Sequence, residues 1–266
     1  MIKLVHDDCI KAMQQLKEGS VDLTVTSPPY DNLRTYNDSL EWGEHVWKPC
    51  LEQLYRITKK GGVVVWVVGD ATINGSETGT SFKQVLYAKD CGFNLHDTMI
   101  YEKNQLAFPD VNRYYQSFEY MFVLSKGSPK AFNPIKDRVN KTSGRKVDAS
   151  PNRNPDGSKQ TNKSGAGSVR KCLGVRWNRW LIYNQSRGKT GGHPAVFPYK
   201  LAHDHIISWS NEGDTVLDPF MGSGTTGIAC KDLARSFIGI EKVEKYFQFA
   251  SDRIHSHNVI AKQWLS

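Results

Sequence analysis

The sequence predicts an α/β fold, in which helices cover both faces of a mostly parallel sheet. Apolar runs alternate with amphipathic segments, and residues 63–68 are apolar throughout, as in a strand that is buried on both faces. A glycine-rich turn follows residues 215–217 directly and opens a helical segment. A chain of 266 residues with 39% hydrophobic content can bury one large core, so we expect one α/β domain with an insertion.

The first half of the chain alternates strands and helices. Ile10, Met13 and Leu16 recur near helical spacing between two short β-branched runs. We expect the helix that follows to end at the basic, glycine-containing run of residues 59–62. The predicted strands are 2–5, 21–25, 63–68, 98–101 and 119–124, and the predicted helices are 8–16, 42–57 and 82–89.

The second half begins with a polar segment, residues 126–190, that has turn signals at 150–152 and 154–157. After this segment, strand-like and helix-like stretches alternate again. The predicted elements are helix 198–209, strand 215–217, helix 225–233, strand 237–240 and helix 243–254.

The lengths of the apolar runs and the spacing of the cysteines restrict the cellular compartment in which we expect the protein. No apolar run approaches the roughly 20 residues that cross a bilayer, and acidic residues follow the N-terminus closely. The five cysteines include no CxxC pair, so the sequence predicts no metal site and no disulfide framework. We therefore expect a cytoplasmic protein that does not contact a membrane.

The positive charge of the chain is concentrated in the polar segment. Residues 126–189 hold sixteen Lys or Arg against three Asp, a net charge of +13, so the remainder carries −5 of the total of +8. Aromatic and basic side chains are interleaved there at Arg176, Trp177, Arg179, Trp180, Tyr183 and Arg187. A basic run alone is often a solvated face. This mixture instead favours a polyanion with bases that can stack, which is nucleic acid.

The glycine-rich turn predicts a site for a nucleoside cofactor. Gly222, Gly224 and Gly227 let the backbone approach a ligand at a helix N-terminus, and Glu241 closes the next strand, where a carboxylate can accept both ribose hydroxyls. The same spacing fits the dinucleotide fingerprint, so an NAD-dependent oxidoreductase is the alternative from another class. Asp218 favours a cationic cofactor such as S-adenosylmethionine, because its carboxylate would repel a pyrophosphate.

A second motif, Ser27-Pro28-Pro29-Tyr30, follows a strand that reads as central. The two prolines have no backbone N–H to donate to a neighbouring strand. The chain must therefore leave the sheet there, with its carbonyls turned outward. The Ser27 hydroxyl and the Pro28 carbonyl could accept hydrogen bonds from the two N–H groups of an exocyclic amino group, and Tyr30 could stack on the base. Since this atom is inaccessible in a duplex, the base would have to be flipped out.

Together the two motifs resemble those of the β-class DNA amino-methyltransferases of restriction-modification type, and the resemblance covers nearly the whole chain. It implies a Rossmann-like, seven-stranded fold with permuted motif order. The catalytic half would be residues 1–125, the target-recognition insert 126–190 and the half that binds S-adenosylmethionine 191–266. The residues that match the catalytic motif are Ser27, Pro28, Pro29 and Tyr30. The residues implied to bind the cofactor are Asp8, Phe197, Asp218, Pro219, Phe220, Gly222, Gly224, Thr225, Thr226 and Glu241.

The resemblance also implies double-stranded DNA as the substrate. In this family SPPY is commoner among N4-cytosine enzymes and DPPY among N6-adenine enzymes, so the serine favours cytosine N4, with adenine N6 as the alternative. The residues expected to contact DNA are Arg170, Lys171, Arg176, Arg179 and Arg187. An RNA substrate and a non-catalytic DNA-binding scaffold stay open at this point. So do two further partners, a cognate restriction endonuclease and a second copy of the chain.

Overall fold

The structure, a computed structural model, describes residues 1–29, 42–104, 112–114, 116–162, 165–183 and 197–258. The described chain forms two compact units, one of Met1–Asn133 with Asn178–Ser266 and the other of Pro134–Trp177. No helix in the described ranges is long and apolar enough to cross a membrane.

The predicted strands and helices occur in the first unit in the predicted order, and three further strands are present there. Its strands are β1 (Ile2–His6), β2 (Val21–Thr26), β3 (Thr58–Val68), β4 (Thr72–Ile73), β5 (Ser76–Glu77), β6 (Asn94–Lys103), β7 (Phe118–Ser125), β12 (Arg179–Ile182), β13 (Thr215–Asp218) and β14 (Ser236–Glu241). Its helices are α1 (Cys9–Gln14), α2 (Glu44–Ile57), α3 (Thr80–Asp90), α4 (Tyr199–Trp209), α5 (Thr225–Asp232) and α6 (Glu244–Ser256). The second unit contains β8 (Arg138–Val139), β9 (Ser150–Arg153), β10 (Lys159–Asn162) and β11 (Leu173–Gly174).

One sheet organises the first unit, in the order β1-β14-β13-β2-β3-β7-β6-β12. Its pairs are parallel except for β3 with β7 and β7 with β6. The predicted mostly parallel sheet is confirmed, but the predicted number of seven strands is wrong, since eight strands pair within the described residues.

The eighth strand, β12, lies inside the segment that was predicted to be a basic insert. Trp180 and Ile182 are buried and alternate with exposed Arg179 and Leu181, which is the pattern of a half-buried edge strand. The Trp180 ring also packs on His205, with 4.4 Å between ring centroids. Arginines around this short alternation obscured it in the sequence.

Helices cover both faces of the sheet, and successive side chains of the central strand β3 contact the two layers of helices in turn. In β3, Val65 points into a core cluster that includes residues of α4, α5 and α6. Its neighbours Val64 and Trp66 point into the opposite cluster, which includes residues of α1, α2 and α3. Burial on both faces explains the uninterrupted apolar run.

Two local predictions were wrong. The helix α2 ends at Ile57, as predicted, but residues 59–62 are not its last turn: strand β3 begins at Thr58 and not at Val63, and the backbone at Gly61 and Gly62 pairs with Lys126. Residues 150–152 form part of strand β9 and not a turn. The turn predicted at 154–157 is confirmed by a hydrogen bond of 2.9 Å from the Gly157 N–H to the Asn154 carbonyl.

Candidate active site

A cleft opens at the carboxyl ends of the neighbouring strands β1, β14, β13 and β2, the edge where open α/β sheets bind ligands. It encloses about 800 Å³, including the part that is open to solvent. Both sequence motifs contribute to its walls. The lining residues are Asp8, Cys9, Ser27, Pro29, Trp42, Val46, Pro219, Phe220, Gly222, Glu241, Lys242, Val243 and Tyr246.

The two motifs meet through a buried carboxylate. Thr26, the last residue of β2, donates a hydrogen bond of 2.7 Å from Oγ1 to Oδ1 of Asp218, at the end of the adjacent strand β13. Thr226, in the first turn of α5, donates a bond of the same length to Oδ2. The Phe220 N–H donates a further bond of 3.1 Å to Oδ1. Asp218 therefore holds β2, the glycine-rich loop and α5 together.

Burial dominates the electrostatics of this carboxylate. Desolvation raises the pKa of Asp218 to about 6, although the hydrogen bonds from Thr26, Thr226 and the Phe220 N–H act in the opposite direction. The nearby charge of Glu241 adds to the upward shift of this pKa. Asp218 is not among the residues that line the cleft. A direct contact between its carboxylate and a ligand therefore stays a prediction, whereas its structural contacts are observed.

Glu241 lies at the end of β14 and lines the cleft. Its Oε2 accepts a hydrogen bond of 2.9 Å from the Gly222 N–H, and its Oε1 accepts one of 2.9 Å from the Val243 N–H. Burial raises the pKa of the carboxyl, and these backbone donors counteract that shift. Each oxygen retains lone-pair capacity for a hydroxyl group, because a carboxylate oxygen accepts more than one hydrogen bond.

The glycine-rich loop is packed tightly. Gly222 has φ of +51° where its backbone approaches the cleft, a conformation that a side chain would strain. A Cβ on Gly227 would lie 2.6 Å from Ile254 and 2.7 Å from Phe237, so only glycine lets α5 approach α6 and the sheet this closely. Arg253 on α6 donates a hydrogen bond of 2.8 Å to the Ser223 carbonyl and fixes the loop from behind.

The remaining walls combine apolar rings with one ion pair. Trp42 meets Phe220 edge to face, with 5.6 Å between ring centroids. Asp8 caps the N-terminus of α1 through Oδ1, which accepts a bond of 3.0 Å from the Ile10 N–H. Its Oδ2 lies 3.5 Å from Nζ of Lys242. The cleft thus offers flat apolar surface beside carboxylates.

The structure brings together many, but not all, of the sequence-predicted site residues. Pro28 is buried between the cleft-lining Ser27 and Pro29, while Phe197 packs against the core cluster on the α4 side of the sheet. Gly224, Thr225 and Thr226 belong to the loop and to α5 but not to the cleft lining. Tyr30 lies outside the described residues. The functional roles of these residues stay predictions.

The residues predicted to contact DNA are distributed over both units. Arg170 and Lys171 are exposed in the second unit, and Arg176 forms an ion pair with Asp137 there. Arg179 belongs to β12 of the first unit, with Nε 3.1 Å from a carboxylate oxygen of Glu102. Arg187 lies outside the described residues. The assignment of these side chains to DNA stays a prediction.

Sequence reasoning missed several residues of the cleft and its support. Lys242 and Val243 could have been found, because they directly follow the predicted ribose-binding acid Glu241. Trp42 and Tyr246 carry no such signal, since Trp42 precedes α2 and Tyr246 belongs to α6, and only the fold determines where their side chains point. The other residues missed are Cys9, Val46 and Arg253. In the described part of the chain no group of His, Cys, Asp and Glu could hold a metal ion.

The cleft suits S-adenosylmethionine. Glu241 can accept ribose hydroxyls, and the rings of Phe220 and Trp42 provide apolar surface for adenine. Because Asp8 is paired with Lys242, the carboxylate of Glu241 is the charge that favours a cationic ligand and would oppose a pyrophosphate at this loop. The fold and the site together define an α/β protein of the class that binds a nucleoside cofactor at the carboxyl ends of its strands.

Comparisons with known proteins identify the family. A family model described as DNA methylase, for N6 and N4 methyltransferases, matches residues 21–252. The orphan methyltransferase M.BamHII of Bacillus amyloliquefaciens is 50% identical over 257 residues, with 94% of each chain covered. The type II methyltransferase M.HpaI of Haemophilus parainfluenzae is 32% identical over 265 residues, which cover 96% of this chain and 74% of the relative.

Solved structures show the same fold. The M1.HpyAVI–SAM complex matches with a TM-score of 0.62 and 25% identity over 96% of this chain and 100% of that one. The cytosine-N4-specific PvuII DNA methyltransferase matches with a TM-score of 0.68 over 99% of this chain and 89% of that one. At 20% identity, the second likeness shows the fold alone.

The chain belongs to the N6/N4 DNA methylase family and is an S-adenosylmethionine-dependent DNA methyltransferase. The predicted family, Rossmann-like fold and cofactor are thereby confirmed. The alternative of an NAD-dependent oxidoreductase is wrong, because the glycine-rich loop belongs to a methyltransferase.

Proposed function

We propose that this methyltransferase modifies the exocyclic N4 of cytosine at a specific site in double-stranded DNA. The observation that carries the proposal is the serine of the SPPY motif. Ser27 and Pro29 line the same cleft as Phe220 and Glu241, so a base at Ser27 and a cofactor at Glu241 would share one cleft. If the two motifs lined separate clefts, neither motif alone would indicate methyl transfer from the cofactor to an amino group of a base.

Ser27 and Pro28 would prepare the nucleophile. The lone pair of an exocyclic amino group is delocalised into the base ring, which makes the nitrogen a poor nucleophile. The Ser27 hydroxyl and the Pro28 carbonyl would accept hydrogen bonds from its two N–H groups, favour tetrahedral geometry and aim the lone pair into the cleft, and one of the two protons would be released during or after methyl transfer. Tyr30 would stack on the flipped base and offset part of the cost of a few kcal/mol for extruding it.

The cofactor, when bound, supplies a methyl group on a positively charged sulfonium. We propose that Glu241 holds its ribose hydroxyls and that Phe220 packs on its adenine. The loop backbone at Gly222 and the carboxylate of Asp8 would complete the site. The roles of Phe197, Pro219, Gly224, Thr225 and Thr226 are proposed as supporting ones. No covalent enzyme intermediate is required, because the amino nitrogen itself attacks.

The substrate would be held by the basic side chains of the chain. Arg170, Lys171, Arg176, Arg179 and Arg187 are proposed to neutralise phosphates, with the strong salt dependence that such contacts carry. Bacterial DNA as the substrate supports a cytoplasmic location. A cognate endonuclease and a homodimer stay predictions.

Mass spectrometry of nucleosides tests the proposal. Purified protein and isotopically labelled S-adenosylmethionine are incubated with plasmid DNA or, in a parallel reaction, with RNA. The nucleic acid is then digested, and methylated nucleosides are identified. We expect labelled N4-methylcytosine, and a rate that falls on the order of a hundredfold in Ser27→Ala. Labelled N6-methyladenine would establish the alternative in place of cytosine, and labelled RNA without labelled DNA would overturn the substrate.

A further inference from the structure

The second unit carries a hairpin without a buried residue in either strand. All eight residues of β9 and β10 are exposed, although the strands pair in regular antiparallel register. Hydrophobic burial therefore does not explain its presence, and an isolated two-stranded hairpin is marginally stable at best. We call β9 and β10 together the ribbon.

The two faces of the ribbon differ in chemistry. Cross-strand partners share a face, and successive residues along a strand alternate between faces. Asn152 pairs with Gln160, and the next pair on that face is Ser150 with Asn162. Arg153 pairs with Lys159 on the other face. One face thus carries amides and a hydroxyl, and the other carries two cations beside the turn.

The turn holds the ribbon in shape without a core. Asn154 donates from its backbone N–H to the Ser158 carbonyl over 2.9 Å and from Nδ2 to the Ser158 hydroxyl over 2.9 Å. Ser158 in turn donates from its N–H and its hydroxyl to Asp156, and these bonds lower the pKa of that carboxyl. Gly157 supplies the positive φ of 82° that the turn requires. These contacts define the turn and keep the two strands of the ribbon in register.

Charge and edge chemistry restrict what the ribbon can bind. The second unit has eleven Lys or Arg against three Asp, so its net charge of +8 equals that of the whole chain. Pro151 lacks an N–H, which discourages another strand from adding to the edge of β9. A polyanion, not a further strand, is the ligand that fits.

We propose that the ribbon enters the major groove of DNA and reads base edges with its amide face. A two-stranded ribbon fits this groove, and Asn and Gln are the side chains that pair bidentately with adenine at N6 and N7. Asn152 and Gln160 would read A·T pairs of the recognition site, while Arg153 and Lys159 would contact phosphates. This inference rests on the DNA methyltransferase activity and not on which base is methylated.

Mapping of methylated positions tests the proposal. Wild-type protein and the double variant Asn152→Ala/Gln160→Ala are expressed in cells without other methyltransferases, and single-molecule sequencing defines each methylated motif. We expect discrimination at one or two A·T positions to fall by about tenfold or more, with the other positions kept. Gln160→Glu should disfavour adenine, whose N7 would lose its donor, and tolerate cytosine, whose N4 amino group can donate a hydrogen bond to the carboxylate.

Two comparisons separate base reading from general binding. Arg153→Ala should keep the motif, lower its occupancy and reduce the slope of log affinity against log salt by about 1. Gln248→Ala, which removes an exposed amide from α6, should change nothing. Unchanged discrimination in the double variant, or an equal loss at every motif position, would overturn the proposal. Single-molecule sequencing defines the methylated motif whether N4 of cytosine or N6 of adenine carries the methyl group. An N6-adenine product would therefore contradict the proposed function and leave this inference standing.

Discussion

Thr26 and Asp218, which are 192 residues apart in sequence, are joined by a buried hydrogen bond of 2.7 Å. Thr26 directly precedes the SPPY motif, and Asp218 begins the glycine-rich motif. Because β2 and β13 are parallel neighbours, this bond fixes the two motifs at the same edge of the sheet. The convergence on one cleft therefore has a specific molecular cause.

Thr26→Val should destabilise the fold. The substitution keeps the shape of the side chain but removes one donor from a buried carboxylate, which typically costs about 1–3 kcal/mol. Urea unfolding measures this difference. Thr24→Val is the matched control, because Thr24 is buried in the same strand and its hydroxyl has no hydrogen-bond partner within the described residues. We expect it to be neutral or stabilising, and an equal loss in both variants would refute the importance of the bond.

Asp218→Asn should change how stability depends on pH. The folded protein binds a proton at Asp218 below about pH 6, whereas the carboxyl group has an ordinary pKa of 3.8. Between these values the folded state binds more protons, so the unfolding free energy of wild type rises relative to the variant as pH falls. The relative gain from pH 7 to pH 4 is on the order of 2 kcal/mol. Unfolding of both proteins at several pH values measures it, and a relative loss toward acid would contradict the assignment.

Glu241→Gln should weaken cofactor binding. An amide has one oxygen, so it cannot accept from both the Gly222 and Val243 N–H groups and also hold ribose hydroxyls. We expect calorimetry to show a Kd for S-adenosylmethionine that is about tenfold or more higher. Glu244→Gln is the control, since this acid begins α6 and is not part of the cleft lining. Equal affinities in wild type and Glu241→Gln would exclude the proposed role.

Arg253→Ala should loosen the glycine-rich loop from α6. The guanidinium donates to the Ser223 carbonyl and to the Thr225 hydroxyl, and burial lowers its pKa. Loss of these bonds should cost about 1–3 kcal/mol of stability and raise the Kd for the cofactor. Arg253→Lys should recover part of both losses, because it keeps the charge. A variant with normal cofactor affinity would show that the loop is held without Arg253.

Tyr30→Ala should separate base binding from cofactor binding. Loss of a stacking ring typically costs about 1–3 kcal/mol per base, while the cofactor affinity should be largely intact. Binding of DNA with a mismatched target base, compared with calorimetry of S-adenosylmethionine, measures both, and DNA with an abasic target position is the control because it offers no base to stack. Equal loss in the two assays would argue against stacking as the role of Tyr30.

The sequence predicted elements better than it predicted contacts. Alternation and helical spacing are local properties, so the order of strands and helices and the bounds of most of them followed from the sequence alone. The apolar run in β3 identified a strand with two buried faces because no polar side chain interrupts it. The short strand β12 was missed, since its pairing with β6 depends on residues about eighty positions away.

By itself, the sequence determined the α/β class, the two motifs and, through them, the family. Only the tertiary structure decided that Asp218 joins the motifs instead of lining the cleft, and that Trp42 and Tyr246 do line it. Periodicity and spacing describe a residue relative to its neighbours in the chain. Which strand ends meet depends on the order of strands in the sheet, and long-range pairing alone sets that order.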